Sequence, residues 1–307
     1  MRILLTGASS FTGYWFAHAL AEAGHVVVAP LRSRRSDYSE GTRAERVRRL
    51  GAVAEIVEDC PFGDERFLDL AKQGRFDVLC HHAAQVGDYR KPDFDIASAV
   101  AANTLNLRVV LATGGFRSVV QTGSVFEQNE GVGEAPLRAF SPYGVSKGLT
   151  AQVVDYRCFE AGVESYKFVI PNPFGPLEEP RFGAYLMRTW KAGLVAAVNT
   201  PAYVRDNIHV GLLAAAYAKY VGETESGRAL RRFGPSGYVE AQGVFAERFA
   251  REMRSRLSLA CALTLANQTD FPEPMMRINT SSAAPYVPGW NEATAWDQVA
   301  EAYAPPL

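Results

Sequence analysis

The chain has 307 residues, of which 48% are hydrophobic, and its formal net charge at pH 7 is -1. This length and composition exclude a disordered or fibrous protein and allow one large α/β domain or two smaller ones. The 32 basic residues are balanced by 33 acidic residues. Because there is no excess of positive charge to attract polyanions, neither nucleic acid nor a membrane is expected as a partner.

The cysteines and the start of the chain indicate the compartment. Cys60, Cys80, Cys158 and Cys261 lie far apart and form no C-x-x-C pair, which favours reduced thiols over a disulfide framework or a zinc site. The chain opens on a strand candidate at residues 3–5 rather than on a signal peptide. No uninterrupted apolar run is long enough to span a bilayer. We therefore expect a cytoplasmic protein without a metal site.

Strand and helix signals alternate through the first half of the chain. The predicted strands comprise residues 3–5, 26–28, 54–58, 77–80, 118–121 and 167–170. The predicted helices comprise residues 11–23, 43–50, 96–112 and 143–161. Such alternation is typical of parallel strands joined by right-handed helical crossovers. Strands without polar alternation indicate a sheet that is buried on both faces.

The pattern breaks after Ile170, where a cluster of four prolines (Pro171, Pro173, Pro176 and Pro180) falls within ten residues. Further helices are predicted at residues 210–221 and 244–257, with few clear strands. We predict an α/β fold with a doubly wound parallel sheet in residues 1–171, to which a segment near 205–221 returns. Residues 172–307 are predicted to form a smaller, mainly substrate-binding domain.

A glycine-containing loop, TGASSFTG at residues 6–13, joins the first predicted strand to the first predicted helix. Gly7 permits a tight turn, and Gly13 lets the helix pack closely on the sheet. The pyrophosphate of a dinucleotide can rest on a helix N-terminus in this position, which predicts a Rossmann-type site. The residues predicted to contact the cofactor here are Gly7, Ser9, Ser10, Phe11, Thr12 and Gly13. The alternative is an ordinary β–α turn of small residues.

The turn after the second predicted strand bears on the choice between NAD and NADP. An NAD site usually has a carboxylate here for the ribose 2′-hydroxyl, but no acidic residue occurs between this strand and Asp37. Arg32, Ser33 and Arg34 are present instead, and arginine can pair with a 2′-phosphate through charge-assisted hydrogen bonds. We predict that NADP is bound in preference to NAD. The alternative is that these arginines form a solvated loop.

Tyr143 and Lys147 are four residues apart on a predicted helix, so their side chains lie on one face. A free phenol has a pKa of about 10 and is a poor base at neutral pH. A neighbouring ammonium favours the phenolate and lowers that pKa. The pair therefore predicts an acid–base catalyst, Tyr143, that is tuned by Lys147. A surface contact between tyrosine and lysine is the alternative.

These motifs resemble those of the extended short-chain dehydrogenase/reductase family, the NAD(P)-dependent nucleotide-sugar epimerases, dehydratases and reductases. Residues 6–13 are similar to the family's T-G-x-x-G-x-x-G, with Ser10 at the middle glycine. TGSVF at residues 122–126 resembles S/T-x-x-V-Y, NPFGP at residues 172–176 resembles N-x-y-G-P, and RDNIHV at residues 205–210 resembles R-D-x-I-H-V. The likeness covers most of the chain and is dense up to about His209.

The resemblance implies the remaining site residues. The implied catalytic residues are Thr122, Tyr143 and Lys147. Besides Tyr143, Lys147 and the loop residues, the implied cofactor contacts are Asp59, Cys60, His82, Ala83, Ala84, Asn103 and Pro171. The implied substrate contacts are Gln85, Ser124, Asn172 and Arg205, with Asn172 and Arg205 at a diphosphate. His209 is interpreted as a packed histidine at a strand end.

The predicted function is that of an NADP-dependent oxidoreductase that transfers a hydride at a carbon of a nucleotide-linked sugar, by reduction of a C4 keto group. The alternatives are a nucleotide-sugar epimerase with tightly bound NAD(P) and a non-enzymatic NADP-sensing protein. Dehydratases of the family carry Asp and Glu, or Ser and Glu, at the two positions after the catalytic Ser/Thr. Gly123 and Ser124 occur here instead, and the missing carboxylate disfavours that reaction. The resemblance also implies a homodimer.

Overall fold

The protein is described from a computed structural model that covers residues 1–86 and 93–304. Residues 305–307 of the predicted second domain lie outside the described residues. The elements up to residue 170 are β1 (Arg2–Leu5), α1 (Phe11–Glu22), β2 (Val26–Pro30), α2 (Gly41–Leu50), β3 (Glu55–Val57), α3 (Glu65–Gln73), β4 (Val78–His81), α4 (Ile96–Asn103), α5 (Leu107–Gly114), β5 (Ser118–Ser124), β6 (Val132–Gly133), α6 (Pro142–Ala161) and β7 (Glu164–Ile170).

The later elements are mostly short strands and long helices. They are β8 (Asn172–Phe174), α7 (Phe182–Lys191), β9 (Ala196–Val198), β10 (Val204–His209), α8 (Val210–Glu225), β11 (Arg232–Phe233), β12 (Pro235–Ser236), β13 (Tyr238–Ala241), α9 (Gln242–Leu257), β14 (Leu263–Leu265), β15 (Met276–Ile278), β16 (Ser281–Ser282), α10 (Ala283–Tyr286) and α11 (Glu292–Tyr303).

Seven strands form a parallel sheet in the order β11-β7-β5-β4-β1-β2-β3. On β1, Ile3 and Leu5 face the layer that contains α1 and α8, whereas Leu4 faces the layer that contains α3, α5 and α6. Successive side chains of a strand point to opposite faces, so an unbroken apolar strand requires cover on both sides. The predicted Rossmann-type, doubly wound α/β fold is confirmed.

A smaller sheet has the order β13-β10-β15-β6, with β8 also paired to β10. Helices α7, α9 and α11 pack around a separate core that includes Trp190, Phe249 and Trp296. The segment near residues 205–221, predicted to return to the first domain, contributes to both units. Its strand β10 belongs to the smaller sheet, and its helix α8 packs on α1 against the large sheet.

The helix predicted over residues 96–112 is two helices in the structure, α4 and α5. Asn106 between them has a φ of +50°, and its Nδ2 donates to the Gly63 carbonyl at 2.9 Å, so a local polar contact replaces helical continuity. Among the described residues, one stretch, Ile96–Gly114, is long and apolar enough to cross a membrane by length and composition only. The turn at Asn106 divides this stretch.

Candidate active site

The loop between β1 and α1, residues 6–13, is called the phosphate loop below and packs tightly against the turn after β4. Gly7 has a φ of +75°, and a Cβ added there would lie 2.8 Å from the Ala83 nitrogen. A Cβ at Gly13 would lie 2.2 Å from the Gly7 oxygen. Thr6 Oγ1 accepts the N–H of Ala83 at 2.9 Å. Only glycine therefore fits at these two positions of the loop.

Ser10 stands where the family motif has its middle glycine, and its hydroxyl turns back onto the loop. Its Oγ donates to the Gly7 oxygen at 2.8 Å and accepts the N–H of Gly13 at 3.1 Å, which makes it the N-cap of α1. The cap satisfies one N–H at the helix start. The other N–H groups of the first turn, together with the helix dipole, suit an anion such as a phosphate.

Three predicted catalytic residues come from the end of β5 and the start of α6. Lys147 is buried, and its Nζ donates to the carbonyl oxygen of Thr122 at 2.6 Å. Burial lowers the pKa of Lys147 below its ordinary value. Tyr143 lies one helical turn before Lys147, and its ring packs edge-on against Phe94 at 6.2 Å between centroids. The ammonium group is thus fixed beside Thr122, on the helix that carries the phenol.

His82 contacts both Thr122 and the phosphate loop. Its Nδ1 lies 2.8 Å from Thr122 Oγ1, and its Nε2 lies 3.0 Å from Thr12 Oγ1 and 3.1 Å from Ser10 Oγ. Burial and the nearby Lys147 ammonium lower the pKa of His82 to about 3. The imidazole is therefore neutral around pH 7, with one nitrogen that donates and one that accepts.

Asn103, a predicted cofactor contact, uses both ends of its amide within the protein. Its Oδ1 accepts the N–H of Gln85 at 2.7 Å, and its Nδ2 donates to Thr150 Oγ1 at 3.2 Å. These bonds tie the turn after β4 to α6. Asn103 thus positions the segment that carries Ala83 and Ala84, a role that the sequence-based prediction did not include. Pro171, another predicted contact, is buried at the junction of β7 and β8.

The arginines after β2 are largely paired with acidic residues that follow β3. Arg34 Nε donates to Asp59 at 2.7 Å, and Arg35 Nε donates to Glu58 at 2.6 Å. Arg32 is exposed. Two of the three arginines in this cluster are thus neutralised, and Asp59 contacts Arg34. Cys60, also predicted here, is buried, and its N–H donates to the Leu31 carbonyl at 2.8 Å.

A basic residue that the sequence analysis missed also reaches this region. Arg43, on the first turn of α2, donates from Nη2 to Ser9 Oγ at 2.8 Å. Its guanidinium also lies over the Tyr38 ring, 5.2 Å from the centroid. The signal that could have indicated Arg43 is its place at the start of a predicted helix that follows the second strand. Arg43 brings positive charge next to a predicted cofactor residue.

A cavity of approximately 1020 Å³ is lined by residues of β8, α7, β10 and α9 and of the loops beside them. Two predicted substrate residues, Asn172 and Arg205, line it. Asn172 Nδ2 donates to Asn207 Oδ1 across the paired strands β8 and β10. Gln85 and Ser124 are not among the described residues that line this cavity. Of the four predicted substrate contacts, the structure therefore places Asn172 and Arg205 in one cavity.

Arg205 already has partners on this side of the molecule. Its Nη2 donates to Glu273 Oε2 at 2.9 Å, and its Nη1 donates to the Pro274 carbonyl at 3.1 Å. Its guanidinium lies 4.3 Å from the centroid of the Tyr203 ring. Glu273 also lines the cavity and is exposed. An anionic ligand that uses Arg205 therefore competes with a carboxylate.

Two fully buried arginines were not foreseen. Arg46 Nε donates to the Ser9 carbonyl at 3.1 Å, its Nη1 donates to the Leu177 carbonyl at 2.7 Å, and its Nη2 pairs with Glu179. Arg46 thus connects the phosphate loop to a segment beside the cavity. The second, Arg277, bonds carbonyl oxygens of the loop after β5, which belong to Val125, Glu127, Glu130 and Arg138.

The position after Thr122 lies against the end of the Lys167 side chain. A Cβ at Gly123 would lie 2.5 Å from Lys167 Cε. Lys167 Nζ is held by Glu127 at 2.6 Å and by Glu130 at 2.7 Å, and these carboxylates outweigh the effect of burial and raise the pKa of Lys167. Glu127 also accepts the N–H of Ser124 at 2.8 Å. A side chain at residue 123 would therefore displace the end of Lys167 from these carboxylates.

The residues of the phosphate loop and of α6 suit a dinucleotide. The cradle formed by Gly7 and Gly13, which a Cβ would fill, leaves backbone N–H groups for a pyrophosphate. Lys147 and Tyr143 would flank the nicotinamide end. Within residues 1–86 and 93–304, no group of three or more His, Cys, Asp or Glu side chains could hold a metal ion. All four cysteines are buried and free.

The fold and the phosphate loop define a dinucleotide-dependent enzyme of the Rossmann class. Residues 3–233 match the model of the NAD dependent epimerase/dehydratase family, and the chain belongs to that family. The resemblance to the extended short-chain dehydrogenases/reductases is thereby confirmed. A search of curated proteins finds no match.

Solved structures similar to the chain include three 4-epimerases. One is UDP-glucuronic acid 4-epimerase from Bacillus cereus with a UDP-sugar and NAD, which has a TM-score of 0.76, 15% identity and 99% coverage of both chains. UDP-glucose 4-epimerase from Thermotoga maritima with UDP-glucose has a TM-score of 0.73, 18% identity and coverage of 99% of this chain and 98% of its own.

The third is UDP-glucose-4-epimerase from Stenotrophomonas maltophila with NAD and a UDP-arabinopyranose. It has a TM-score of 0.74, 19% identity and coverage of 99% of this chain and 97% of its own. At these identities the likeness establishes the fold over nearly the whole chain. The likeness does not identify the substrate or the cofactor of this chain, which are argued below from the residues of its own site.

Proposed function

We propose that this chain binds a nicotinamide dinucleotide and acts on C4 of a nucleotide-linked sugar, with Tyr143 as acid and base. When bound, the nicotinamide supplies hydride transfer. Tyr143 takes the proton of the sugar hydroxyl during oxidation and returns it during reduction, and Lys147 keeps the phenol acidic enough for this. Thr122 orients the sugar. The observation that carries the proposal is the buried Lys147 ammonium on the Thr122 carbonyl, one helical turn from Tyr143. The Thr122 side chain is connected to the phosphate loop through His82.

Of the reactions that share this apparatus, we favour epimerisation over net reduction. The sequence-based preference for an NADP-dependent reductase depended on the arginines after β2. Arg34 and Arg35 are paired with Asp59 and Glu58, so their charge is offset before a 2′-phosphate arrives. The 4-epimerases among the similar structures agree with this choice.

The NADP-dependent reductase is the second candidate. The exposed Arg32 and the contact between Arg43 and Ser9 favour it, because they leave positive charge near the second strand. A third possibility, a non-enzymatic cofactor sensor, has no use for the buried Lys147 beside Thr122.

Incubation of the protein with single nucleotide sugars tests the proposal. UDP-glucose, UDP-glucuronic acid and UDP-N-acetylglucosamine, each with NAD or NADP, are followed by proton NMR for the 4-epimer and by absorbance of the reduced nicotinamide. We expect the 4-epimer with no net change in absorbance. A parallel incubation of NADPH with a 4-keto nucleotide sugar tests the reductase, which net consumption of NADPH there would identify. Tight cofactor binding without either reaction, on any of these sugars, would contradict both enzymes.

We also propose a cytoplasmic homodimer. Free buried thiols suit a reducing compartment. Apolar side chains are exposed on α5 and α6, among them Val109, Leu149, Tyr156 and Phe159, and Phe159 is 81% exposed. Burial of such residues against a second copy would stabilise a dimer. Light scattering of the purified protein should give twice the monomer mass, and a monomer at micromolar concentration would refute the dimer.

A further inference from the structure

The orientation of the Thr122 hydroxyl depends on His82. Thr122 Oγ1 lies 2.8 Å from His82 Nδ1, and the other ring nitrogen lies within hydrogen-bonding distance of two hydroxyls of the phosphate loop, those of Ser10 and Thr12. The imidazole of His82 thus joins a catalytic residue to the cofactor-binding loop. Because a neutral imidazole has one donor and one acceptor, the direction of one bond decides the direction of the other.

Ser10 decides which ring nitrogen carries the proton. The single proton of its hydroxyl is donated to the Gly7 carbonyl, 2.8 Å away, which can only accept. Toward His82 Nε2, at 3.1 Å, Ser10 Oγ is therefore an acceptor. This arrangement favours the tautomer with the N–H on Nε2, shared between Ser10 and Thr12. In this tautomer Nδ1 has no proton and accepts a hydrogen bond from the Thr122 hydroxyl.

We propose that His82 is a positioning residue whose Nδ1 accepts the hydrogen bond of the Thr122 hydroxyl, so that Thr122 Oγ1 faces the substrate as a hydrogen-bond acceptor. The group that Thr122 contacts is then one that can donate a hydrogen bond, such as a sugar hydroxyl. His82 thereby makes the site selective for a sugar that places a hydroxyl within reach of Thr122. This inference rests on the proposed function for the role of Thr122 but not for the proton positions.

The orientation of Thr122 does not depend on whether the phosphate loop is occupied. Thr12 Oγ1 accepts from His82 Nε2 at 3.0 Å, so its own proton is available to a phosphate at the N-terminus of α1. A bound pyrophosphate therefore leaves the N–H on Nε2. The same arrangement of protons is expected with and without the cofactor.

Nitrogen-15 NMR of the full-length protein tests the proton positions without any substrate. The chain has five histidines, and the His82→Gln variant identifies the signals of His82. We expect the neutral Nε2–H form from pH 6 to pH 8, both alone and with saturating NAD or NADP. The Nδ1–H form, or titration of His82 in this range, would overturn the proposal even if no enzymatic activity were found.

Kinetics of three variants test the effect on Thr122 once a substrate is known. His82→Leu removes both hydrogen bonds and should lower kcat/KM about 10- to 100-fold, as loss of other orienting partners does. His82→Asn should recover most of this loss, because the amide oxygen of asparagine can still accept a hydrogen bond from the Thr122 hydroxyl. In a Thr122→Val background, His82→Leu should add less than about twofold, because both changes remove one interaction. Multiplicative losses, or no recovery with asparagine, would show that His82 does not act through Thr122.

Discussion

The cofactor side and the substrate side of the active site are held by different kinds of contact. The cofactor side, the phosphate loop with the turns after β2 and β4, is fixed by close backbone packing at Gly7 and Gly13. The substrate side, the lining of the cavity, contains charged residues from distant segments that pair with one another, as Arg205 does with Glu273. The first side is preorganised for its ligand, whereas the second must exchange partners when a ligand binds.

The largest expected effect concerns Tyr143, which lies one helical turn before Lys147. Tyr143→Phe removes the proton donor and acceptor and keeps the ring, so kcat should fall about 10³-fold, within the range of acid–base catalysis. The Kd of NAD or NADP, measured by calorimetry, should stay within about twofold, because the cofactor side is untouched.

Tyr156→Phe is the matched control for Tyr143→Phe. Tyr156 lies on the same helix and is 59% exposed, so its loss of a hydroxyl should leave turnover unchanged. Turnover of Tyr143→Phe above about a tenth of the wild-type rate would remove Tyr143 from the chemistry.

The next largest effect concerns Arg46, which connects the two sides. Arg46→Met leaves the Ser9 and Leu177 carbonyls without their partner and should cost about 3 kcal/mol of unfolding free energy. We expect a fall in Tm of roughly 5–10 °C for a chain of this size. Arg43→Met, an exposed neighbour with one hydrogen bond to Ser9, should cost under about 1 kcal/mol. Equal losses for both variants would contradict a linking role for Arg46.

Contacts between residues that are near in the sequence could be predicted from it, whereas contacts between distant segments could not. Within the phosphate loop, the contacts of Ser10 with Gly7 and Gly13 span three residues each, so the spacing of the two glycines after a strand indicated this turn directly. Tyr143 and Lys147 were indicated by helical periodicity. The partners of Arg46 include Leu177, which is 131 residues away along the chain, and no local pattern specifies such a contact.

Three other features of the structure differ from what the sequence predicts: the helix over residues 96–112, the arginines after β2 and the short strands. The apolar composition of residues 96–112 predicts one helix, but Asn106 takes a left-handed conformation and binds the Gly63 carbonyl. The arginines after β2 predict a phosphate site. In the structure, the parallel pairing of β2 with β3 brings Asp59 and Glu58 next to these arginines, and the carboxylates take the place predicted for the phosphate. Strands of two to four residues such as β13 and β15 are too short for a periodic signal.

We expect the free energy of unfolding to depend on pH because of His209, which lies at the end of β10 directly before α8. His209 is buried there, as predicted for a strand end, and its Nδ1 accepts the N–H of Gly211 at 3.1 Å. Burial lowers the pKa of His209 from 6.5 to about 4. Below pH 6.5 the unfolded chain therefore binds a proton that the folded chain does not, so this histidine lowers stability as the pH falls toward 4.

His209→Asn tests this dependence, because asparagine also caps a helix N-terminus. Relative to the variant, the wild-type protein should lose about 1.4 kcal/mol of unfolding free energy per pH unit below 6.5. Urea unfolding at pH 8, 6 and 5 measures the difference, which should be constant above pH 7. A difference that does not change between pH 6 and pH 5 would mean that His209 is protonated in the folded protein.

The smallest expected effect concerns the pair of Arg205 and Glu273 in the cavity. Glu273 is 57% exposed at its side chain, so the pair contributes at most about 1 kcal/mol. Glu273→Gln removes the charge that competes with an anionic substrate, and KM for a nucleotide sugar should fall about two- to fivefold with kcat unchanged. Glu252→Gln, which removes a similar partner of Arg256 away from the cavity, should leave KM as it is. A higher KM in Glu273→Gln would instead mean that Glu273 holds Arg205 in the orientation that the substrate needs, and the substrate side would then be as preorganised as the cofactor side.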